Sequence, residues 1–479
     1  MNVSEGSGTD FVLYINRILE LVSMRLNDFG IQMDTGLVAL TTDGAPAMKK
    51  LGRISHLEQQ LCLAHGIQLA VIDTLYERPC KGRLFDADED DEDLLSSDEG
   101  ESGAEDDDDA LEVESQLLSN DFASGQMKDA INAVRKLTKI FTPGNKNDKL
   151  QEYVRQANNG NELQLKLDCK TRWSSLYDML LRYWRIRDCI EKALIDVKSD
   201  FRISSVQNYV ISCLLKALEP VHTTVLMLCR RECNLLDARI ALKFMLETLQ
   251  IQDNPVGRRL FSRLTHRISE RWTINASLLY YLTHGNTVND DLSIICDVEQ
   301  KFEFELQGIS SSEVLGDFTD MNDSVEINDI FAIPKKKILA DHIHKLLSRM
   351  GISTDEADLN EDIDGIDDIS SKRFKSYEEV LNFKVKGANS KKCRPGGTLT
   401  GLSKVIHQEM TNFEKSHIQG VHLKKCHDML MTIKPTSVES ERSFSAGGYF
   451  CSKIRSKLAP STIDTLCFLR HFIKNNSTA

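Results

Sequence analysis

The sequence predicts an α/β fold that is mostly helical, with one small sheet joined to a large helical region. Residues 37–42 are a short run of apolar and β-branched residues that ends at Asp43, which is typical of a buried strand. Residues 11–29 place apolar side chains three or four positions apart, which is the spacing of an amphipathic helix. Between about 201 and 310 that spacing recurs in one helix after another. Helices should therefore outnumber strands by far.

The remaining elements are predicted from the same patterns. A short helix over 46–53 has Pro46 in its first turn, where the missing amide hydrogen costs nothing. Residues 61–63 are predicted as a second short strand, and 64–77 as a helix with one apolar face. Residues 163–173 are predicted as a turn or a short strand. The further predicted helices cover 125–142, 174–198, 206–218, 235–251, 256–271, 335–350 and 399–431.

The composition is that of a globular protein with one strongly acidic segment. The chain of 479 residues is 41% hydrophobic and 27% charged, with a net charge of −13. Residues 86–114 hold 17 of its acidic residues and no lysine or arginine. Without them the net charge of the remaining chain is +4. Acidity is therefore confined to a segment that we predict to be disordered, and nucleic-acid binding by the rest is not excluded.

Three further observations concern the compartment. The sequence has no run of about 18 apolar residues, so no membrane-spanning helix is expected. The polar N-terminal residues do not resemble a signal peptide. The 12 cysteines follow no regular spacing, which favours a reducing compartment.

Asp43 is the first candidate functional residue. Carboxylates at the ends of strands hold divalent cations in many nucleases, where the metal ions stabilise the attacking and leaving oxygens of a phosphodiester. An aspartate at this position is also common as a turn residue or as the N-cap of a following helix. The residues around Asp43 leave both interpretations open.

The C-terminal region contains the most specific motif. Residues 435–445 have the sequence PTSVESERSFS and lead through 455–458 into an apolar segment at 462–473. This block resembles the C-terminal signature of hAT-superfamily transposases. In that family the glutamate that matches Glu441 is one of three metal-binding carboxylates. The resemblance implies an RNase H-like core interrupted by a large all-α insertion.

Two shorter blocks resemble the same family, in the family's order. Residues 42–48, followed by the Cys62-x-x-His65 pair, match its second-aspartate region, and Arg172 with Trp173 matches its Arg-Trp block. The resemblance covers 37–75, 168–182 and 430–474. It makes Asp43 and Glu441 the two remaining metal ligands of a vestigial catalytic site. It also implies DNA contacts for four residues, namely His65, Arg172, Trp173 and Arg442.

Simpler interpretations exist for these residues. Cys62 and His65 are equally consistent with a buried thiol and a histidine at the start of a helix, since a zinc site needs four ligands and no second pair lies near in sequence. Trp173 is equally consistent with a core residue beside a surface arginine. Glu441 is equally consistent with a solvated helix start.

The resemblance divides the chain into four regions. The first strands of the core are missing from the first region, and disordered loops are expected near 309–330 and 352–398. The four regions are the N-terminal part of the RNase H-like core (1–78), an acidic disordered linker (79–124), a helical insertion (125–430) and a C-terminal dimerisation segment (431–479).

No residue matches the family's first catalytic aspartate, which lies on a strand before the first helix. Asp10 follows a polar stretch and Asp34 lies in a turn, so neither replaces it. We therefore expect a truncated or domesticated hAT derivative without DNA cleavage. A cofactor, Mg²⁺ or Mn²⁺, is expected only if the carboxylate site were complete.

The apolar C-terminal residues predict a homodimer. After Pro460 the apolar side chains fall on a broad helical face, and the family buries such a face between subunits. The alternative is that this helix packs against its own domain. The predicted dimerisation residues are Phe444, Leu458, Ile463, Leu466, Leu469 and Phe472.

The function expected from these observations is protein dimerisation with nucleic-acid binding in the nucleus. Two other hypotheses stay open. The chain is a fragment of an active hAT DNA transposase, or it is a chromatin or transcription cofactor whose acidic residues 86–114 bind basic proteins.

Overall fold

The structure is a computed structural model in which seven parts of the chain are described. The described ranges are 7–75, 122–142, 144–169, 173–285, 326–352, 401–450 and 458–476. They contain seventeen helices and two strands, so the prediction of a mostly helical fold with a small sheet is confirmed. The acidic segment 86–114 lies outside these ranges.

The N-terminal part is built around a two-stranded parallel sheet. Its elements are α1 (Ser7–Asn27), α2 (Met33–Gly36), β1 (Ala39–Thr42), α3 (Pro46–Ile54), β2 (Glu58–Leu61) and α4 (Leu63–Leu75). Ala39 pairs with Glu58 and Thr42 with Leu61. The sheet found among the described residues has these two strands.

The second strand begins three residues before its predicted position. The carbonyl of Cys62 already accepts a helical hydrogen bond from the Gly66 amide, so 62–63 belong to the start of α4. The strand is instead polar, and its Gln60 is 2% exposed. The Gln60 side chain donates to the carbonyl of Arg271 at 3.1 Å, which satisfies a buried amide that the apolar pattern could not reveal.

Six helices form the larger apolar core together with α4. They are α5 (Phe122–Ile140), α6 (Asn145–Ala157), α7 (Trp173–Asp196), α8 (Ser205–Leu228), α9 (Leu235–Ile251) and α10 (Pro255–Ser269). The next helix, α11 (Ile274–His284), packs in a second core. Ser204 and Gln207 form a capping box at the start of α8, and Asn234 with Asp237 forms another at α9. Residues 161–169 are neither helical nor part of the sheet.

Helix α8 is long and apolar enough to cross a membrane by length and composition alone. Its apolar window is, however, 61% buried among the other helices. The side chains of Leu214, Leu215 and Val221 are completely buried. This burial is what the central helix of a globular core requires, and the prediction of no membrane contact stays a prediction.

The remaining helices complete a second core and the C-terminal region. They are α12 (Ile327–Ile330), α13 (Lys336–Arg349), α14 (Gly401–Ser416), α15 (Val421–Met431), α16 (Val438–Phe450) and α17 (Pro460–Asn476). Four residues at the end of the predicted loop 309–330 form α12 instead, because Ile327 and Ile330 are buried against the first core. The second core joins α11, α13, α14 and α15.

Two polar contacts attach the sheet to the second core. Arg349, at the end of α13, donates to the carbonyls of Leu37 at 2.7 Å and Val38 at 2.6 Å. Glu58 of β2 accepts a hydrogen bond from Lys345 of α13 at 2.8 Å. The position of β1 is therefore fixed by residues that come about 300 positions later in the chain.

Candidate functional site

The C-terminal motif lies across the ends of both strands. The Thr41 hydroxyl donates to the carbonyl of Lys434 at 2.8 Å, and the Leu63 amide donates to the carbonyl of Pro435 at 3.0 Å. The Ser437 amide donates to the sulfur of Cys62 at 3.4 Å. These three contacts bring the start of α16, with Glu441 in its first turn, to the sheet end that carries Asp43.

His65 is affected electrostatically by both predicted metal ligands. It is half-buried in the first turn of α4. Burial lowers the pKa of its imidazole, the positive charges of Arg271 and Arg267 lower it further, and the carboxylates of Asp43 and Glu441 oppose this. The structure thus places both carboxylates within electrostatic range of one imidazole, which is mainly neutral at neutral pH.

Each carboxylate already accepts a hydrogen bond from its own segment. Asp43 accepts one from the amide of Ala45 at 3.2 Å, as an aspartate does at a turn that leads into a helix. Glu441 accepts one from the hydroxyl of Ser437 at 3.2 Å. Both remain available for a further donor, since an ionised carboxylate has about four acceptor positions.

Arg271, which the sequence analysis did not single out, completes the cluster. Its side chain is 4% exposed and packs on two glycines. A methyl group on Gly66 would lie 2.6 Å from its Cδ, and one on Gly44 would lie 3.2 Å from its Nη2. The sequence sign of this close approach is glycine at positions 44 and 66.

The charge of Arg271 is only partly compensated. Its Nη1 donates to the Arg267 carbonyl at 3.0 Å and to Glu270 at 3.1 Å. Its buried Nε has no hydrogen-bond partner. Burial lowers the pKa of the guanidinium, which Glu270 opposes. The group stays cationic, because an arginine is not deprotonated in a protein at ordinary pH.

Arg442 is engaged within the protein. It donates to Glu439, one turn earlier in α16, and to the carbonyl of Cys229 at 3.0 Å. Cys229 follows the last residue of α8, so Arg442 caps the end of that helix. Burial also raises the pKa of the Cys229 thiol to about 11, so it is protonated at neutral pH. A DNA contact of Arg442, as predicted, would have to share the guanidinium with Glu439 and the Cys229 carbonyl.

The residues present do not fit the two-metal centre that the resemblance implies. Asp43 and Glu441 are two carboxylates, and among the described residues no three His, Cys, Asp or Glu side chains are close enough to hold one ion. The charged group packed next to His65 is the guanidinium of Arg271. This donor set therefore does not support a step that passes through a metal ion.

The Arg-Trp block is only partly described. Trp173 is the first residue of α7, and Arg172 lies outside the described residues. The hydroxyl of Ser175 accepts a hydrogen bond from the Cys169 amide at 2.8 Å, which ties the preceding segment to α7. The predicted DNA contacts of Arg172 and Trp173 stay predictions.

The predicted dimerisation residues fall into two groups. Phe444 is 81% exposed, Phe472 54% and Leu469 44%. Leu458, Ile463 and Leu466 are partly buried. The neighbouring Phe468 stacks on Phe472 with ring centroids 6.2 Å apart.

Residues 120–214 match a family model described as the ZBED1 RNase-like helical domain. The match begins just before α5 and ends within α8, so it covers about a fifth of the chain. No curated protein matches the sequence. Residues 125–214 of the match lie in the region predicted as the helical insertion of a hAT transposase (125–430), and 120–124 lie at the end of the predicted acidic linker. The similarity of residues 120–214 to this helical domain supports a hAT- and ZBED-related origin for the chain.

Proposed function

We propose that this chain is a hAT-transposase-derived nuclear protein that dimerises through α16 and α17, binds nucleic acid and does not cleave DNA. The similarity to the ZBED1 helical domain supports the origin. The observation that carries the dimerisation is the exposure of aromatic side chains on the last two helices.

Several large apolar side chains on these two helices are exposed, which is costly in water. Phe444 is 81% exposed, Phe468 66% and Ile473 60%. Exposed clusters of large apolar residues commonly mark protein interfaces, in which aromatic residues are enriched. A second copy of the same patch is the simplest partner, because a two-fold interface uses one surface twice.

Within the described ranges, the main packing neighbour of helix α17 is α16. Asp464 of α17 also lies 3.6 Å from Arg25 of α1. The side chains of this ion pair are 69% and 70% exposed, so solvent screens their attraction. This ion pair would therefore oppose an intermolecular contact of α17 only weakly.

Dimerisation is tested by light scattering on the full chain and on a Phe468→Lys/Phe472→Lys double variant. We expect a dimer for the unchanged chain and a monomer for the variant, because the two lysines would lose hydration in the interface. Ile195→Lys is the matched control, since Ile195 is 66% exposed like Phe468 but lies on α7. The control should remain dimeric.

A monomeric unchanged chain would rule out the homodimer. A double variant that stays dimeric would place the interface elsewhere. Circular dichroism of all three proteins separates loss of the interface from loss of the fold.

The absence of cleavage is tested with supercoiled plasmid in Mg²⁺ or Mn²⁺. We expect equal, background nicking for the unchanged chain and for Asp43→Asn, because the two carboxylates do not form a two-metal centre. Nicking that disappears in Asp43→Asn would contradict the proposal and favour the active-transposase hypothesis.

The proposal of nucleic-acid binding rests on the net charge of +4 that the chain has outside residues 86–114. Removing residues 86–114 should strengthen binding to duplex DNA, since 17 negative charges would be lost. Fluorescence anisotropy at several salt concentrations measures this. An affinity that does not fall with salt would exclude contacts to phosphates.

A further inference from the structure

The guanidinium of Arg271 lies at the end of the sheet that carries Asp43. Gly44 follows Asp43 just after β1 ends, and a methyl group on Gly44 would lie 3.2 Å from Nη2 of Arg271. The same methyl group would lie 3.9 Å from Cδ2 of His65. A methyl group on Gly66 would lie 2.8 Å from Nε of Arg271. A cation and an imidazole therefore meet beside the segment of Asp43.

This guanidinium is buried and only partly bonded. The side chain of Arg271 is 4% exposed. Its Nη1 donates to the Arg267 carbonyl at 3.0 Å and to Glu270 at 3.1 Å. Its buried Nε has no hydrogen-bond partner among the described residues. A buried cation with unused donors is costly unless negative charge lies near it, so the position of this group depends on its charged neighbours.

Asp43 and Glu441 supply negative charge in the same place. The two carboxylates and Arg271 act on one imidazole, that of His65. Burial lowers the pKa of this imidazole, Arg271 lowers it further, and the two carboxylates oppose both effects. Each carboxylate accepts its hydrogen bond from its own segment. Their attraction to the guanidinium therefore acts through space, in an interior that screens charge less than water does.

A metal-dependent nuclease balances such carboxylates with divalent cations. Among the described residues, the donor set around Asp43 does not support that arrangement. The guanidinium of Arg271 differs from a metal ion because it is attached to the chain and cannot be chelated. It also stays charged at ordinary pH. Its charge repels any further cation that approaches the same carboxylates.

We propose that Arg271 is the resident cation of this sheet end, and that its fixed charge stabilises the carboxylates of Asp43 and Glu441 and keeps divalent metal ions away from them. Gly44 and Gly66 provide the space that admits its side chain. The proposal concerns charges within one chain, so it is independent of dimerisation and of nucleic-acid binding. Removal of the guanidinium should turn the two carboxylates into a weak metal site.

Isothermal titration of the full chain with Mn²⁺ tests the proposal. The affinity for Mn²⁺ should rise about tenfold or more in Arg271→Met, because a positive charge beside two carboxylates is removed. The rise should vanish in Arg271→Met/Asp43→Asn. The 17 acidic residues of 86–114 also attract Mn²⁺, but they are the same in all variants, so their contribution cancels in the comparison.

Two controls separate the effect of charge from those of shape and position. Arg271→Lys keeps the positive charge in a side chain of another shape, so Mn²⁺ should bind as weakly as it does to the unchanged chain. Arg258→Met removes a positive charge elsewhere, since Arg258 is half exposed and pairs with Asp253 at 3.1 Å. It should also leave the affinity for Mn²⁺ unchanged.

Oxidative cleavage of the chain by Fe²⁺ and ascorbate locates the bound metal. The radicals that a bound iron ion generates cut the main chain close to the ligands of that ion. Mass spectrometry of the fragments should show cuts near Asp43 and Glu441 in Arg271→Met. The unchanged chain should show none at these positions.

Cuts near Asp43 in the unchanged chain, or an affinity for Mn²⁺ that Arg271→Met does not raise, would overturn the proposal. Tight binding by Arg271→Lys would also overturn it, because shape rather than charge would then exclude the ion. Circular dichroism verifies that each variant is folded. If Arg271→Met does not fold, Arg271→Gln takes its place with the same expected result.

Discussion

Helices α8 and α17 are both apolar, yet they meet opposite environments. In α8, thirteen side chains are buried, among them Leu214 and Val221 with no exposed surface. In α17 none of the described side chains is buried, and Phe468 remains 66% exposed. Apolar composition alone therefore does not decide where a helix lies.

The difference lies in how many neighbours each helix has. Helix α8 contacts α4, α5, α7, α9 and α10. Among the described residues, helix α17 packs mainly against α16. Because burial of apolar surface is the main force that stabilises a fold, α8 contributes to the stability of one chain. Helix α17 can contribute comparably only when another surface covers it.

The largest difference in the free energy of unfolding is expected between variants of a buried ion pair and of an exposed ion pair. Arg135 binds both carboxylate oxygens of Asp168, at 2.9 and 2.6 Å, and the Asp168 side chain is 2% exposed. Asp168→Asn should lower the free energy of unfolding by about 3–5 kcal/mol, because the partly buried arginine keeps its charge while its carboxylate partner becomes a neutral amide. In Asp253→Asn, where the side chain is 96% exposed, the loss should stay below about 1 kcal/mol. Denaturant unfolding measures both, and equal losses would contradict the contrast.

Truncating one side chain in α8 and one in α17 tests directly how much each helix contributes to the stability of a single chain. Leu214→Ala should cost about 2–5 kcal/mol in the free energy of unfolding, because it leaves a cavity in the core. Phe472→Ala should leave the stability of the monomer nearly unchanged while weakening the dimer, since this side chain is 54% exposed. Urea unfolding at low protein concentration gives the first quantity, and sedimentation across concentrations gives the second. A large loss of monomer stability in Phe472→Ala would mean that α17 belongs to the core.

Acidification should lower the stability of the protein through its buried histidines. His342, 9% exposed, donates from Nε2 to the Asn275 carbonyl oxygen at 2.7 Å. Burial lowers the pKa of His342 below its unfolded value of 6.5, Glu58 opposes this, and Lys345 adds to it. The unfolded chain therefore binds more protons below pH 6.5, so this contribution is complete above that pH and is lost as the pH falls.

Thermal unfolding at pH 7.5 and pH 5.5 checks this expectation. The midpoint should fall on acidification, and His342→Gln should reduce the fall. The reduction should be partial, because the pKa values of His65 and His222 are also lowered. An identical pH response in the variant would exclude His342 as a source.

The smallest effect is expected at the contact between α1 and α17. Arg25→Gln removes the ion pair with Asp464, whose atoms are 3.6 Å apart and largely exposed. The free energy of unfolding should change by less than about 0.5 kcal/mol. A larger loss by denaturant unfolding would show that α17 is anchored within its own chain.

The sequence predicts most helices because their apolar faces repeat with the helical period. The helix over 235–251 has the predicted limits, and the helix over 256–271 differs from Pro255–Ser269 by one or two residues. The strand Glu58–Leu61 was misplaced because its residues are polar. Several of the residues that hydrogen-bond to the side chains of this strand lie more than 200 positions later in the chain. One example is Thr273, whose hydroxyl donates to Gln60.

The candidate site was predictable only in part. Asp43, His65 and Glu441 were found through short motifs, and the structure brings them together. Arg271 was not, because an arginine after a helix carries no local pattern. Its role depends on two glycines, Gly44 and Gly66, that leave room for a guanidinium from another part of the chain.

The hydrogen bond between Thr41 and Lys434 joins residues 393 positions apart. During synthesis, β1 leaves the ribosome long before the segment that completes its surroundings. At about 5–20 residues per second, the delay is roughly 20–80 s. Throughout that time β1 can pair with other nascent chains. The strand can therefore reach its final surroundings only after the segment that contains Lys434 has been synthesised.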